Sequence, residues 1–386
     1  MNMKANRIPI VDYRPKPPIK KDYGIGIIGA GIITNIGHAP AYRNAGFNIV
    51  GIADINKSNL EKTCQDWSIE HGYDDYRKLL QRDDIDIIDI CVGHKGRVQM
   101  VKDCAAAGKH IMIQKPFAHK FGDALAMVDA AEEAGVKFIV NQSCRYSPVF
   151  IAAKQLMDQG WIGEPFLFQF SQNLNSDGID EGHWFQDLNN FVLIEATVHY
   201  IDIMRFWAGR EVKNVSASLT CRPGQMSKGE LVASMKIDFG DGLNAMLCDN
   251  SGTVADDQGM RYRIDGGEGI IKGGYDFGPS KELIMYNEHV ELFSRLLPDA
   301  WYKPAIRSHY YPDAFAGPMG EFMDSITEDR TSILRARDNL NTLRVALAGY
   351  ISAVENRVVS PDEVDINSKP YGKFGSLSNQ SIAAKV

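Results

Sequence analysis

Three residues in this chain have the types and neighbours needed to move a proton and a hydride: Lys115, Glu195 and His199. Of all side chains, imidazole has its ordinary titration closest to neutrality, and Glu195 stands one helical turn before His199, on the face where it would orient or charge-assist the ring. Lys115 precedes Pro116 at the end of an apolar run, where an ammonium reaches into the ligand edge of an open α/β sheet. Oxidising a secondary alcohol requires a base for the hydroxyl proton, a positive donor for the oxygen as it gains charge, and an acceptor for the hydride. His199 as general base, Glu195 as its partner and Lys115 as donor meet the first two needs; a polar histidine at the core, a carboxylate complementing a helix start and an exposed surface lysine are the rival roles.

The third need points to a dinucleotide. In Gly24-Ile-Gly-Ile-Ile-Gly29-Ala-Gly31-Ile32-Ile33-Thr34 a buried strand meets a helix at Gly29 and Gly31, where backbone amides and the helix dipole receive a pyrophosphate. Thr34 replaces the third small residue of the usual fingerprint. The next strand ends at Ala53-Asp54, about where a carboxylate takes ribose hydroxyls and repels a 2′-phosphate, so NAD(H) is expected over NADP(H).

These residues require a scaffold that alternates strand and helix. Between 23 and 140, β-rich runs at 24–28, 48–53, 85–92, 110–114 and 137–140 alternate with helical stretches at 37–45, 57–67, 97–107 and 121–134. That is the pattern of a doubly wound parallel sheet. After Arg145 come a helix at 149–159, a strand at 166–172, a helix at 195–207, and strands near 212–220, 231–239, 243–249 and 260–264. Asp241-Gly242 marks a hairpin between two of them, and helices follow near 314–327 and 336–354. The expected division is an N-terminal arm (1–22), a Rossmann dinucleotide-binding domain (23–145), an α+β substrate and oligomerisation domain with a large, mostly antiparallel open sheet (146–366), and a tail (367–386). The arm and tail are expected to dock on the body or on a neighbouring subunit.

Between the halves, Arg145 and Tyr146 are placed to touch cofactor or substrate, with a structural ion pair as the rival role for Arg145. Gln172, Asn173 and Asn175, followed by His183 and Trp184, combine amide, imidazole and indole groups, a mixture that grips polyols by hydroxyl bonds and sugar faces by ring stacking.

Composition narrows the function classes. A hydrophobic content of 44%, a charged content of 24% and a net charge of -7 with no basic block describe a globular protein without a nucleic-acid surface or a membrane span. Six scattered cysteines show neither zinc-ligand spacing nor a disulfide framework, which fits a reduced, cytoplasmic setting and no metal.

Gln114-Lys115-Pro116, Arg145-Tyr146-Ser147-Pro148 and Glu195-Ala-Thr-Val-His199, in that order after the glycine loop, resemble the Gfo/Idh/MocA oxidoreductases, the glucose-fructose oxidoreductase and inositol dehydrogenase family. The family's Glu-Lys-Pro motif reads here with Gln114 for Glu, and its Asp-xxx-His pair with Glu195 for Asp. Its Thr-Pro-xxx-His loop reads Val92-Gly93-His94-Lys95-Gly96-Arg97. The resemblance implies a catalytic Lys115, a lysine–proline bond that is often cis, and cofactor contacts from Val92, Gly93, His94 and Gln114. It also implies a homo-oligomer and a small-molecule sugar, cyclitol or glycoside as substrate. Overall likeness extends to members that oxidise the C3 hydroxyl of glucosides; a free-sugar or inositol dehydrogenase and a non-catalytic NAD-binding regulator are the alternatives. With Gln114 neutral, Lys115 is expected to be hydrogen-bonded by the amide without being neutralised.

Overall fold

A computed structural model describes residues 8–177, 184–255, 257–278, 285–372 and 374. The first sheet contains β1 (Gly24–Ile28), β2 (Asn48–Ala53), β3 (His71–Tyr73), β4 (Ile87–Ile90), β5 (His110–Gln114) and β6 (Phe138–Asn141), in the order β3-β2-β1-β4-β5-β6 and parallel throughout. Every residue of β1, β4 and β6 is buried, as a parallel sheet covered on both faces requires. Its helices are α1 (Ala39–Ala45), α2 (Lys57–Trp67), α3 (Arg77–Leu80), α4 (Arg97–Ala106) and α5 (Phe121–Glu133). The order turns around β1, and the crevice at that switch point is where such sheets bind ligands.

After α6 (Pro148–Asp158) the chain enters β7 (Pro165–Asn173), crosses to α7 (Val198–Ala208), and returns through β8 (Asn214–Thr220), β9 (Val232–Asp238), β10 (Asn244–Asn250), β11 (Gly259–Gly266), β12 (Gly269–Phe277), β13 (Met285–Ser294) and β14 (Trp301–Tyr302). These strands form one sheet in the order β14-β13-β12-β11-β7-β10-β9-β8, antiparallel except where β7 lies parallel to β10. In β9 and β10 buried and exposed residues alternate, so one face is core and the other carries Ser234, Lys236, Met246 and Cys248 outward. Asp241 and Gly242 both adopt positive φ in the β9–β10 turn, the conformation that a tight hairpin demands. β12 to β14 extend the sheet beyond the strands read from the sequence. In β12 glycines at 269, 273 and 274 blur the alternation because backbone packs tightly there: a Cβ on Gly274 would lie 2.0 Å from the Met260 carbonyl oxygen.

The chain then closes back on the first sheet. α8 (Ala316–Thr327) and α9 (Ala336–Glu355) follow, and Arg335 bridges Ile139 of β6 while the Val140 amide donates to the Leu334 carbonyl (3.1 Å). The N-terminal arm is docked too: Tyr13 is buried, its hydroxyl donates to the Ala305 carbonyl, and the Ile19 amide donates to Asp324 (2.7 Å). Among the described residues no helix is long and apolar enough to cross a membrane.

Candidate active site

The glycine loop leaves β1 at Gly29, whose φ of +110° and close approach to the Cys91 carbonyl suit only glycine (a Cβ would lie 2.9 Å from it). Thr34 fills the third small-residue position because its buried hydroxyl donates back to the Gly29 carbonyl (2.7 Å). At Gly31 and Gly93 an added Cβ would meet nothing within 4 Å, so the two glycines face open space. Asp54 fastens the loop by accepting the Ala30 amide (2.6 Å) on one carboxylate oxygen and the Asn56 amide (2.7 Å) on the other. Ile32 is exposed and Ile33 half-buried beside it. A cradle open at its glycines, with an acidic residue at the end of β2, fits a dinucleotide.

Lys115 lies at the carboxyl end of β5, and its bond to Pro116 is cis. Its ammonium donates to the Glu195 carbonyl (2.9 Å), and burial lowers its pKa, partly offset by the Glu195 charge. Gln114 does not touch that ammonium. Its Oε1 accepts the Lys115 main-chain amide (2.8 Å), and its Nε2 lies 2.8 Å from Nε2 of the buried His38, whose Nδ1 is 2.7 Å from Asp89. An amide suits this position because it can donate to an imidazole nitrogen and still accept the amide of Lys115.

The pairing of Glu195 with His199 expected from helical spacing does not form. Residues Val192–Ala196 make a π-helical turn, closed by the Thr197 amide on the Val192 carbonyl (2.8 Å), and α7 begins only after it. The wider turn breaks the one-turn alignment. Glu195 instead accepts a hydrogen bond from His119 (Nε2 to Oε1, 2.6 Å). Burial opposes its ionisation, but the His119 hydrogen bond and the Lys115, His119 and Arg97 charges hold its pKa below the ordinary value. His199 Nδ1 faces the Cys144 thiol (3.3 Å), and burial together with Lys115 drives its pKa well below the usual imidazole range.

Arg145 is spent on structure: its guanidinium grips both carboxylate oxygens of buried Asp202 (2.7 and 2.8 Å) and the Ile333 carbonyl (2.8 Å). Tyr146 packs so closely on α8 that a Cβ at Gly317 would overlap its ring. Gln172 is buried, donates to Asp249 (3.0 Å) and accepts from the Tyr200 hydroxyl. Asn173 lies half-buried at the end of β7, and the Asn175 amide donates to Gln258 (2.9 Å). His183 falls outside the described residues. Trp184 is 48% exposed, with its ring centroid 6.4 Å from that of His94.

Two residues complete the site without having been singled out in the sequence. Arg97, buried, donates twice to the Val92 carbonyl and once to that of Pro116, tying the 92–94 loop to the lysine turn. His119 stacks on His94 with centroids 4.1 Å apart, between the lysine turn and Glu195. A polar histidine directly after the apolar Phe117-Ala118 pair was the available signal.

The comparisons with known proteins agree with this geometry. Residues 23–142 match the model of the oxidoreductase family with an NAD-binding Rossmann fold (GFO_IDH_MocA), and 150–272 match the GFO/IDH/MocA C-terminal domain. The chain belongs to the Gfo/Idh/MocA family: it is an NAD(H)-dependent oxidoreductase acting on CH–OH groups. It is 26% identical to the D-apiose dehydrogenase of Paraburkholderia graminis over 86% of this chain and 88% of that protein. To the myo-inositol 2-dehydrogenase of Thermotoga maritima it is 22% identical over 88% and 99%. Its fold matches that of an oxidoreductase from Agrobacterium radiobacter, solved in complex with NAD+, L-tartaric acid and magnesium, with a TM-score of 0.76 at 23% identity over 89% of this chain and 99% of that one.

Proposed function

We propose that the protein oxidises a secondary ring hydroxyl of a sugar, cyclitol or glycoside, or reduces the matching ketone, with 23–145 holding the dinucleotide and 146–366 the substrate. The observation that carries this reading is the convergence of Lys115, Glu195 and His199 at the carboxyl edge of the first sheet, beside the open glycine cradle. When bound, the nicotinamide supplies the hydride acceptor. Gly29, Gly31, Ile32, Ile33 and Asp54 hold the dinucleotide's phosphates and ribose, and Val92, Gly93 and His94 wall the crevice above β4. Lys115 donates to the substrate oxygen as its charge builds, and His199 hydrogen-bonds the same oxygen. Trp184, with Asn173 and Asn175, faces the sugar ring.

Within this class, a glucoside oxidised at C3 is one substrate reading, and a free sugar or inositol, the substrates named for relatives that bear apiose and inositol names, fits equally. The outward face of the second sheet is the surface for self-association, and the cytoplasm is the proposed setting. The test is reduced-nicotinamide absorbance on adding a panel of glucosides, free pentoses and hexoses, and inositols to protein with NAD+. Reduction with one class, lost at least about a hundredfold in Lys115→Ala with NAD+ binding retained, is the expected result. Tight NAD+ binding with no reduction by any class would leave a dinucleotide-binding regulator.

A further inference from the structure

A neutral imidazole accepts at one ring nitrogen and donates at the other, so whatever engages Nδ1 of His199 decides what Nε2 can do. That choice does not fall to Glu195, which is turned to His119. The partner of His199 Nδ1 is the Cys144 thiol (3.3 Å), buried in the helical turn Ser143–Tyr146 that follows β6. The same thiol donates to the hydroxyl of buried Tyr310 (3.5 Å), which lies 2.7 Å from Ser143 Oγ. A thiol carries one proton. With that proton given to Tyr310, the sulfur can only accept at His199, so Nδ1 is the protonated nitrogen and Nε2 keeps the lone pair. Resting on the hydride-transfer reading above, we propose that Cys144 is a positioning residue for His199: held by Tyr310, it fixes the Nδ1–H tautomer and so presents Nε2 as the proton acceptor for the substrate hydroxyl. The O–H bond breaks toward Nε2, its electron pair forms the C=O bond, the C–H electron pair leaves as hydride to the NAD+ supplied by the established activity, and the proton passes from Nε2 to water.

The surroundings keep each proton in this arrangement. Burial pushes the Cys144 thiol up to about 12, even though the Tyr310 hydrogen bond and the Lys115 charge pull the other way, so the S–H is retained. Burial likewise raises Tyr310 well above the usual phenol range, and its hydroxyl stays protonated. The ring itself starts each turnover neutral. Burial and Lys115 hold its pKa low, and His199 is the second residue of α7, where the positive end of the helix also disfavours an imidazolium. A carboxylate at Nδ1 would fix the same tautomer but would raise the ring's pKa, and a ring already protonated cannot accept. A neutral thiol sets the tautomer without that cost. Because hydride departure leaves the hydroxyl strongly acidic, a weakly basic imidazole is a sufficient acceptor.

The test compares wild type, Cys144→Ser, Cys144→Ala and Tyr310→Phe, all loaded with NAD+. Nitrogen-15 NMR of the imidazoles, with His199 assigned by its loss in His199→Gln, reads the tautomer without any substrate. Wild type and Cys144→Ser should show Nδ1 protonated and Nε2 bare. In Cys144→Ala, which removes the acceptor, and in Tyr310→Phe, which frees the thiol proton to turn to Nδ1, the ring should move toward Nε2–H. With a substrate from the panel, Cys144→Ala should lower kcat at least about tenfold, a part of the about 10²–10⁴ that a general base supplies, with the KM for NAD+ little changed. Cys144→Ser should recover part of that loss. A bare Nδ1 in wild type, an unmoved tautomer in Cys144→Ala and Tyr310→Phe, or equal losses in the Ser and Ala variants, which would mark packing alone, overturns the proposal. If Cys144→Ala does not fold, the tautomers of wild type and Tyr310→Phe decide it. Failure of wild type to reduce NAD+ with every substrate would instead count against the function proposed above, and the tautomer result would still judge the role of Cys144.

Discussion

Asp249, fully buried at the end of β10, provides a quantitative test of the polar layer beneath the site. It accepts from Ser251 Oγ (2.7 Å), Thr197 Oγ1 (3.1 Å) and Gln172 Nε2 (3.0 Å), yet burial outweighs these bonds and raises its pKa from 3.8 to about 6. A folded-state pKa above the unfolded one means that the folded protein binds the proton more tightly. Stability is therefore highest at low pH and falls as pH rises from about 4 through about 6. At 1.36 kcal/mol per pKa unit the penalty is about 1 kcal/mol at pH 4.5 and about 3 kcal/mol at pH 8. Asp249→Asn abolishes the titration. Its amide also sets a donor against the Thr197 and Gln172 donors, an offset of about 1–3 kcal/mol that does not depend on pH. The informative quantity is thus the change in the stability difference between variant and wild type, which should favour the variant by about 2 kcal/mol more at pH 8 than at pH 4.5. Urea unfolding followed by tryptophan fluorescence reports it well, since Trp161, Trp184, Trp207 and Trp301 all lie beyond residue 150 and only Trp67 lies before it. A difference that stays flat across this range, or one that moves toward wild type, would refute the burial argument.

Two further outcomes separate cradle from scaffold. Gly31→Val should leave unfolding nearly unchanged, because its Cβ enters open space, while weakening NAD+ by tenfold or more in calorimetry; Gly29→Ala, forced to φ +110° against the Cys91 carbonyl, should cost about 1–3 kcal/mol of stability. Arg97→Met should lower the unfolding midpoint by leaving the buried Pro116 carbonyl without its donor, about 1–3 kcal/mol, with a smaller loss at the half-buried Val92 carbonyl, and should lower kcat more than it raises the KM for NAD+.

The first sheet was legible because its strands are unbroken apolar runs: 24–28, 48–53 and 110–114 have the bounds expected from sequence, and the glycine loop sits at the first strand's end. β3 and α3 went unread because three and four residues carry too little periodicity. In the second sheet the alternation of β9 and β10 was plain, but β13, with Asn287, Glu288, His289 and Glu291 along it, reads as polar loop until its pairing with β12 is known. Arg145 was read as lying between the two halves and Gln172 as an amide that grips a polyol, but sequence does not reveal that Asp202 and Asp249 already occupy them.

The largest divergence comes from helix geometry. Spacing of four residues aligns Glu195 and His199 only at 3.6 residues per turn, and nothing in Val-Leu-Ile-Glu-Ala announces a π turn. The Thr34–His38 segment repeats the lesson: a second π turn directs His38 inward to Asp89 and Gln114 beneath Lys115. Both widened turns lie where a loop hands over to a helix at the ligand edge, and each turns a titratable side chain toward the lysine turn. The departures from the family pattern are therefore coupled. Gln114 answers the imidazole of His38, Arg97 ties the 92–94 loop to the lysine turn, and Glu195 reaches His119 from a π turn. These linked contacts, with Lys115 and His199 retained, support the dehydrogenase reading proposed above, and exchanging Gln114 or Glu195 alone for the family's residue should lower the rate of NAD+ reduction.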